Sequence, residues 1–494
     1  MSQRAPQAPD LDGLYGQTPD DVGGWIEGLG LEQTVGGTGV PASTRQPVPF
    51  PATEEIIALA PFADTDVVDT AVAAASAAAP GWQAISWAQR RAGLYLFAGA
   101  LEEDLQTLST LLVAETGRPL RRCVSEVLSA ARFIRTIADT AQMNTDIVQP
   151  GKSIRLTGRP LGVVGAIAPW NSPVLLAVVK VANALMAGNT MVLKSSPFTP
   201  LSGLRFGMLA REIFPTGVLN VINGGHEVGA AMVAHRGVAK ISFTGSTATG
   251  KVIARAAADQ LKRVTLELGG NDAAIVLADA DLGRFVETAS QVGLLNCGAF
   301  CAGVKRIYVH RSRIDEMLEL FDNRLRPVQL GDPFDITTEM GPMQNRPQYE
   351  RVLDLKAAAR QAGGRVLGHQ GSVPDRGLFI APTVVSGLTS GHRLVVEEQF
   401  GPVLPIIAFD SVDDAVAQAN ASEYGLGGSV WGADVEAAEA VATRLDVGSA
   451  WVNQHGAFDA AIPMPFAGQS GIGIDYGGFG VYEHSQRTVV NVAR

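Results

Sequence analysis

The stretch LGVVGAIAPWNSPVLLAVVKVANALMAGNTMVLKSSP, residues 161–197, decides the fold. From Pro160 to Val179 it carries no formal charge, and on length alone it would admit a membrane span. Its middle, Pro169-Trp170-Asn171-Ser172-Pro173, places two prolines around polar residues. These would break a helix and leave backbone groups unpaired in lipid. The stretch reads instead as an apolar strand bounded by proline (161–169), a sharp turn, a buried helix closing near Gly188-Asn189, and a second strand (190–196).

The same alternation continues downstream. A helix over about 200–213 leads to GVLNVING (217–224), a helix after Glu227 leads to VAKISFT (238–244), and a helix after Gly250 leads to RVTLELGG (263–270). Apolar strands alternating with helices predict a parallel sheet covered on both faces, hence a doubly wound domain. A second series begins at AAIVLADADL (273–282) and runs through RIYVH (306–310), GPVLPIIAF (401–409) and SAWVNQ (449–454), so two halves meet near residue 268. Residues 53–140 read as mainly helical, with the Ala-rich run from Thr70 to Ala88 interrupted at Pro80-Gly81. The first fifty residues show weak periodicity.

Composition sets the bounds around this pattern. With 39 Lys+Arg against 49 Asp+Glu over 494 residues, the net charge of −10 argues against a basic nucleic-acid binder. A hydrophobic share of 46% and a charged share of 18% describe a folded chain, and 55 Gly with 27 Pro suit many short connections. The cysteines, Cys123, Cys297 and Cys301, cannot staple a chain of this size, so a reducing compartment is expected. The Pro- and Asp-rich N-terminus has no apolar run of a secretory signal and is not an Arg-rich transit peptide. The expectation is a cytoplasmic protein with no membrane and no nucleic-acid partner.

Individual motifs carry competing readings. GSTATGK (245–251) follows a strand like a phosphate-cradling loop, but Val252 stands where a magnesium-binding Ser or Thr is needed. Gly245, Ser246 and the helix behind them remain able to meet a pyrophosphate, or to form an ordinary turn. PGKS (150–153) is a weaker decoy, with Asp146 in place of the first glycine. No GxGxxG follows a predicted strand, and GxSxG and HExxH are absent. Cys297 and Cys301 would share a helix face, but with His310 far downstream no metal site is expected. Alone, Cys301 suits a buried apolar position. Glu267 alone suits a solvated strand face, since Val264, Leu266 and Leu268 alternate with Thr265 and Glu267.

Several segments taken in order change that balance: PWNSP (169–173) with Lys180, VLKSSPFTP (192–200), SFTGSTATG (242–250), LELGG (266–270) with NCGAFCAGVKR (296–306), and EEQFGPV (397–403), with weaker support from GSAWVN (448–453) and PFAG (465–468). From about residue 53 onward the chain resembles the NAD(P)-dependent aldehyde dehydrogenase superfamily.

The resemblance implies an α/β fold with a doubly wound cofactor-binding domain (53–140 and 159–267), an α/β catalytic domain (268–464) and a small β oligomerisation element (141–158 and 465–494), with 1–52 matching poorly. It implies oxidation of an aldehyde to the free acid with NAD(P)⁺, through a cysteine thiohemiacetal and then a thioester. Cys301 is the implied nucleophile, intrinsically strong once a local perturbation or a base frees its proton. Asn171 and the Cys301 N–H are the implied oxyanion donors, and Glu267 the implied base for thioester hydrolysis. Lys180 suits either proton movement or packing. For the cofactor, Lys194 is implied at the adenosine ribose, Glu398 at the nicotinamide ribose, Phe400 beside that ring, and Gly245 and Ser246 at the pyrophosphate. Pro169, Trp170, Ser196, Pro197, Gly225, Gly229, Phe243, Thr244, Leu268 and Gly269 complete the implied cofactor contacts.

Departures from the family pattern sharpen this. Many NAD-preferring relatives carry Glu where this chain has Pro197. The loss removes ribose hydrogen bonds and a repulsion against a 2′-phosphate, weakening discrimination against NADP, though no new Arg appears and NAD stays favoured. Ala299 replaces a usual Gln, Phe300 precedes the nucleophile, and the C-terminal PFAGQSGIGIDYGG is shorter and lacks a lysine. No Lys or Arg falls between Trp451 and Ser470, while Phe458, Ile462, Met464, Phe466 and Phe300 are apolar. An uncharged, medium-sized aliphatic or aromatic aldehyde follows, in a homodimer or homotetramer. A cysteine esterase or thioesterase, and a non-catalytic binding protein keeping the fold, are the competing readings.

Overall fold

The computed structural model describes residues 11–15, 21–141, 143–149 and 151–493. Residues 1–10 and 16–20 of the N-terminal segment, 142 and Pro150 within 141–158, and Arg494 lie outside the described residues.

The deciding stretch forms the centre of an eight-stranded sheet. Across it run Thr38–Val40, Gln33–Val35, Leu219–Asn223, Thr190–Ser195, Val163–Ile167, Val238–Thr244, Arg263–Glu267 and Gly471–Ile472. The strands from Leu219–Asn223 to Arg263–Glu267 are parallel, while the strands flanking them pair antiparallel. Strands buried on both faces explain why Thr190–Ser195 and Leu219–Asn223 read as continuous apolar runs. Their helices start at predictable places, with Pro173 and Pro200 in the first turn of Pro173–Met186 and Pro200–Ile213. The chain order reverses between Val163–Ile167 and Val238–Thr244, which opens a crevice at the carboxyl ends of those strands.

The second series builds a seven-stranded sheet in the order Arg365–Gly368, Thr383–Ser386, Val403–Phe409, Val304–His310, Asp272–Val276, Gly427–Trp431, Ser449–Val452. It is parallel except where Arg365–Gly368 pairs antiparallel. A third sheet joins Asn144–Gln149, Lys152–Pro160 and Ser485–Ala493. Among the described residues, no helix is long and apolar enough to cross a membrane.

Three local expectations are corrected. The Ala-rich run is not interrupted, because Asp66–Ala84 continues through Pro80. Pro80 lies on the exposed face, where the carbonyl it leaves unpaired meets water. The helix placed after Gly250 begins at Thr247, because the Ser246 hydroxyl accepts from the Thr249 N–H and caps it. The weakly periodic N-terminus adds two strands to the cofactor-side sheet edge, too short at three residues each to show a period.

One buried side chain ties this core together. Asn189, after the helix that follows the first strand, accepts from the Leu161 N–H at 2.6 Å and the Gly162 N–H at 3.1 Å, and donates to Ala184 O and His484 O. Asn189→Ala orphans these buried groups at ~1–3 kcal/mol each. A thermal melt is expected to show a Tm lower by several degrees, while the fraction that stays folded keeps its active-site properties.

Candidate active site

Glu267 ends the last parallel strand of the first sheet, and Asp272 begins a central strand of the second. The turn between them is crowded from both sides. A Cβ on Gly270 would lie 2.5 Å from the Cys301 carbonyl oxygen, and one on Gly269 would lie 2.4 Å from Glu398 Oε2. Only glycine fits where these backbones approach so closely. The turn thereby brings the loops carrying Cys301 and Glu398 against the end of the Glu267 strand.

Cys301 is partly exposed, in a turn just before Val304–His310. It does not share a helix face with Cys297. Leu295–Gly298 is a short 3-10 turn in which Asn296 and Cys297 adopt φ of 51° and 56°, and this left-handed backbone ends the helix and redirects the chain toward Cys301. Burial, reinforced by the negative charge and hydrogen bond of Glu267, pushes the Cys301 thiol well above its ordinary value.

Glu267 is 4% exposed, not solvated as alternation along its strand suggested, because Cys301, Lys180, Asp475 and Thr244 crowd its carboxyl. Burial raises its carboxyl to about 7, against the opposing pull of the Cys301 thiol and the Lys180 ammonium. Lys180 is fully buried and donates to Thr244 Oγ1 at 2.7 Å. Burial lowers its basicity, while Asp475 and then Glu267 act the other way. Asn171 is buried at the turn after the first strand, and its Nδ2 donates to Ala299 O at 3.1 Å, two residues before Cys301. Thus Cys301, Glu267 and Asn171 converge from three separate segments, and Lys180 reaches them through Thr244.

The crevice at the topological switch gathers the residues expected at a dinucleotide. Pro169 and Trp170 follow the first strand, and Trp170 meets Phe400 edge-on at 5.5 Å. Phe243 and Thr244 end the adjoining strand, the Gly245 N–H donates to Glu267 O at 3.0 Å, and exposed Ser246 caps the following helix. That helix N-terminus suits a pyrophosphate. Lys194 lies next to the end of its strand, with burial lowering it to about 8 and Nζ donating to Ser195 O at 3.2 Å. Ser196 and half-buried Pro197 form the next turn. Gly225 caps His226–Ala234, and Gly229 in that helix lies beside the Lys194 side chain. Leu268 N–H donates to Ser470 O. Glu398 Oε1 accepts from the Gly270 N–H at 3.1 Å, and burial raises this carboxyl to about 7 against the pull of Lys305. A capped helix end, a buried lysine and a held carboxylate fit a pyrophosphate flanked by two riboses.

Beside Cys301, Phe300, Phe458, Phe466 and Tyr476 pack with Ala302, Leu426 and Met464 into an apolar cluster. Ile462 does not join it. At 60% exposed it faces away, and it is corrected out of the apolar wall. Tyr476 and Asp475 were not found from the sequence. Tyr476 holds φ of 63° at the start of Gly477–Glu483, and Asp475 is a buried carboxylate beside Lys180. The one available signal was IDYGG itself, two polar side chains in a segment departing from the family pattern. Asn296 was also missed. Its Nδ2 donates to Asn171 O at 2.9 Å, holding the turn that carries the amide.

Comparison with known proteins places this geometry. The model of the aldehyde dehydrogenase family matches residues 40–490. Human retinaldehyde dehydrogenase 3 is 36% identical over 452 residues, covering 90% of this chain and 88% of the human protein. Among solved structures, an NAD⁺ complex of an aldehyde dehydrogenase from Bacillus cereus superposes with a TM-score of 0.90 at 32% identity, covering 99% of this chain and 100% of that one. A mutant AldC of Pseudomonas syringae with NAD⁺ and octanal superposes with a TM-score of 0.88 at 35% identity, covering 93% and 96%.

The electrostatics yield a test. Because the Glu267 charge raises the Cys301 thiol, Glu267→Gln is expected to increase the thiolate fraction and speed iodoacetamide alkylation of Cys301 several-fold at pH 7.5, followed by mass spectrometry. A slower reaction would show that Glu267 acts mainly by taking the thiol proton.

Proposed function

The chain belongs to the aldehyde dehydrogenase family, and on that premise we propose that Cys301 is its nucleophile, Asn171 its oxyanion donor and Glu267 its hydrolytic base. It is an oxidoreductase that acts on aldehydes and binds NAD(P). The observation that carries the assignment of roles is the convergence of Cys301, Glu267 and Asn171 at one crossing between the sheets, beside the cofactor crevice.

Cys301 Sγ attacks the carbonyl carbon as the thiolate, and its negative charge passes to the former carbonyl oxygen. The Asn171 amide, whose Nδ2 is already directed at the nucleophile loop, and the Cys301 N–H are the donors for that charge. When bound, NAD(P)⁺ would supply the hydride acceptor needed to pass from thiohemiacetal to thioester. Lys194, Glu398 and the Gly245–Ser246 turn would hold the cofactor, with Trp170 and Phe400 edge-on beside the crevice. Glu267 then takes a proton from water as the hydroxyl adds to the thioester, Cys301 leaves, and the free acid is released. Burial sets this base near 7, so it is partly ionised at neutral pH and fit to accept and return a proton. A thioesterase would need the same nucleophile and base but no dinucleotide crevice.

We assign an uncharged, medium-sized aldehyde as substrate, supported by the apolar wall of Phe300, Phe458, Met464 and Phe466 around Cys301. The octanal complex of AldC is a neighbour of that chemical type. We further assign oligomerisation to the three-stranded sheet, where Ile147, Val489, Val490 and Val492 are exposed at 45%, 63%, 47% and 50%. A dimer or tetramer covers them. The proposed compartment is the cytoplasm, in keeping with free cysteines.

Absorbance at the reduced-nicotinamide band, with an aldehyde panel and each cofactor, tests the assignment. Cys301→Ala is expected to abolish the signal, and an undiminished one would sink the mechanism. Glu267→Gln is expected to leave a single-turnover burst and slow the steady state by ~10²–10⁴-fold. Because the base works deprotonated, hydrolysis-limited kcat should fall tenfold per pH unit below about 7 in wild type, and this limb should vanish in the variant. NAD⁺ is the favoured cofactor, and Pro197→Glu should lower kcat/KM for NADP⁺ at least tenfold while sparing NAD⁺.

A further inference from the structure

A second cavity, with about 80 Å³ of room, lies between the start of Leu120–Thr140 and the end of Leu282–Gly293. One water needs only ~10–15 Å³ measured this way. None of Phe300, Cys301, Phe458, Met464 or Phe466 lines it, so it is separate from the apolar wall beside the nucleophile.

Its lining is cationic in a chain of net charge −10. Arg118, Arg121, Arg122 and Arg324 face it, and Glu339 is the one acid on its wall. Arg118 is paired with Glu126 at 2.5 Å and Arg324 with Glu287 at 3.0 Å. The Glu339 carboxylate already accepts from the Gln329 N–H at 2.9 Å. Arg121 and Arg122 form no ion pair among the described residues. Arg122 is exposed at the mouth of the cavity, and the adjacent Arg121 charge lowers its guanidinium, as for a cation lacking a counter-charge.

A second observation is independent of charge. Ser290 lines the same cavity, is 4% exposed, and its hydroxyl has no hydrogen-bond partner among the described residues. A buried hydroxyl without a partner costs stability unless something occupies the space before it. The guanidinium fork matches the paired oxygens of a phosphate or carboxylate, and a serine hydroxyl donates to a further oxygen.

We infer that this cavity is a binding site for a small oxyanion, phosphate or short carboxylate, held by Arg121, Arg122 and Ser290. It is placed to be felt at the active site. Asn296 lines it, receives a hydrogen bond from Arg118 Nη1 at 3.4 Å, and donates to the backbone of Asn171 at 2.9 Å. An oxyanion here draws on the same arginine cluster that holds Asn296 in its left-handed turn.

The test is a thermal melt of the full chain with inorganic phosphate or succinate, titrated against sodium chloride at matched ionic strength, with and without saturating NAD⁺. A saturable rise in Tm is expected for at least one oxyanion, retained with NAD⁺ present. Its midpoint should weaken at least tenfold in Arg122→Ala and in Ser290→Ala. Arg122 is exposed and has no ion pair among the described residues, and Ser290 loses a hydroxyl without a partner among them, so both variants are expected to fold. Comparing the two oxyanions distinguishes a phosphate site from a carboxylate site. Absence of a saturable rise, a rise unchanged in both variants, or a rise abolished by NAD⁺ overturns the inference. The last outcome would place the ion at the helix capped by Ser246.

Discussion

Everything in the catalytic centre depends on one short crossing, Glu267 to Asp272, where the chain leaves one sheet and enters the other. The constraint is steric. Gly270 lets the Cys301 carbonyl approach within what would be 2.5 Å of a Cβ, and Gly269 does the same for the Glu398 carboxylate. A side chain at Gly270 would push the Cys301 backbone away, and one at Gly269 would displace the Glu398 carboxylate. The same turn starts at Glu267 and, through the Gly270 N–H, holds the carboxylate of Glu398. The proposed base, nucleophile and cofactor-side carboxylate thus share a single reference in the chain, the turn from Glu267 to Asp272.

The price of this compactness is electrostatic. Glu267, Lys180, Asp475 and Lys240 are all buried behind the crossing. Each alone would be neutral in such surroundings. Their signs alternate enough to offset part of the burial cost, which is why burial moves Glu267 only to about 7 while Lys180 and Asp475 pull it in opposite directions. Lys180 is connected through the Thr244 hydroxyl at 2.7 Å, so hydroxyls and not direct ion pairs carry the contact. That arrangement keeps the base adjustable, since a direct lysine–carboxylate pair would hold Glu267 ionised and too weak to act near neutral pH.

Much of this was legible in the sequence, for definite reasons. Strands buried on both faces must be continuously apolar, so LGVVGAIAP and TMVLKSS announced the parallel sheet. The roles proposed for Cys301 and Glu267 came only from the order of motifs, because alone each residue had an ordinary explanation. Burial of Glu267 was misread from strand alternation, since alternation reports exposure only when one face is open to water. Tyr476 and Asp475 escaped because their placement follows from the path of Gly471–Asp475 across the edge of the first sheet, a long-range pairing with no local pattern. The left-handed turn at Asn296 and Cys297 escaped for a related reason. Neither residue is glycine, and the strain is borne by contacts with Asn171 and Arg118 that lie more than a hundred residues away.

That strained turn also explains why the two cysteines so near in sequence differ in environment. Had Leu282–Gly293 continued, Cys297 and Cys301 would lie one turn apart on the same face. The left-handed residues instead turn Cys297 into the core, where burial raises its thiol to about 12, and carry Cys301 on to the crossing. Both thiols are raised, but only Cys301 has neighbours able to change that. It is partly exposed, it faces a carboxylate that titrates near neutrality, and the buried Lys305 ammonium, which donates to Gly298 O at 2.6 Å, underpins its loop and favours negative charge there. The environment of each thiol is therefore a property of where the backbone delivers it, and that backbone is steered by two asparagines, Asn296 donating to the Asn171 carbonyl and Asn171 donating to the Ala299 carbonyl.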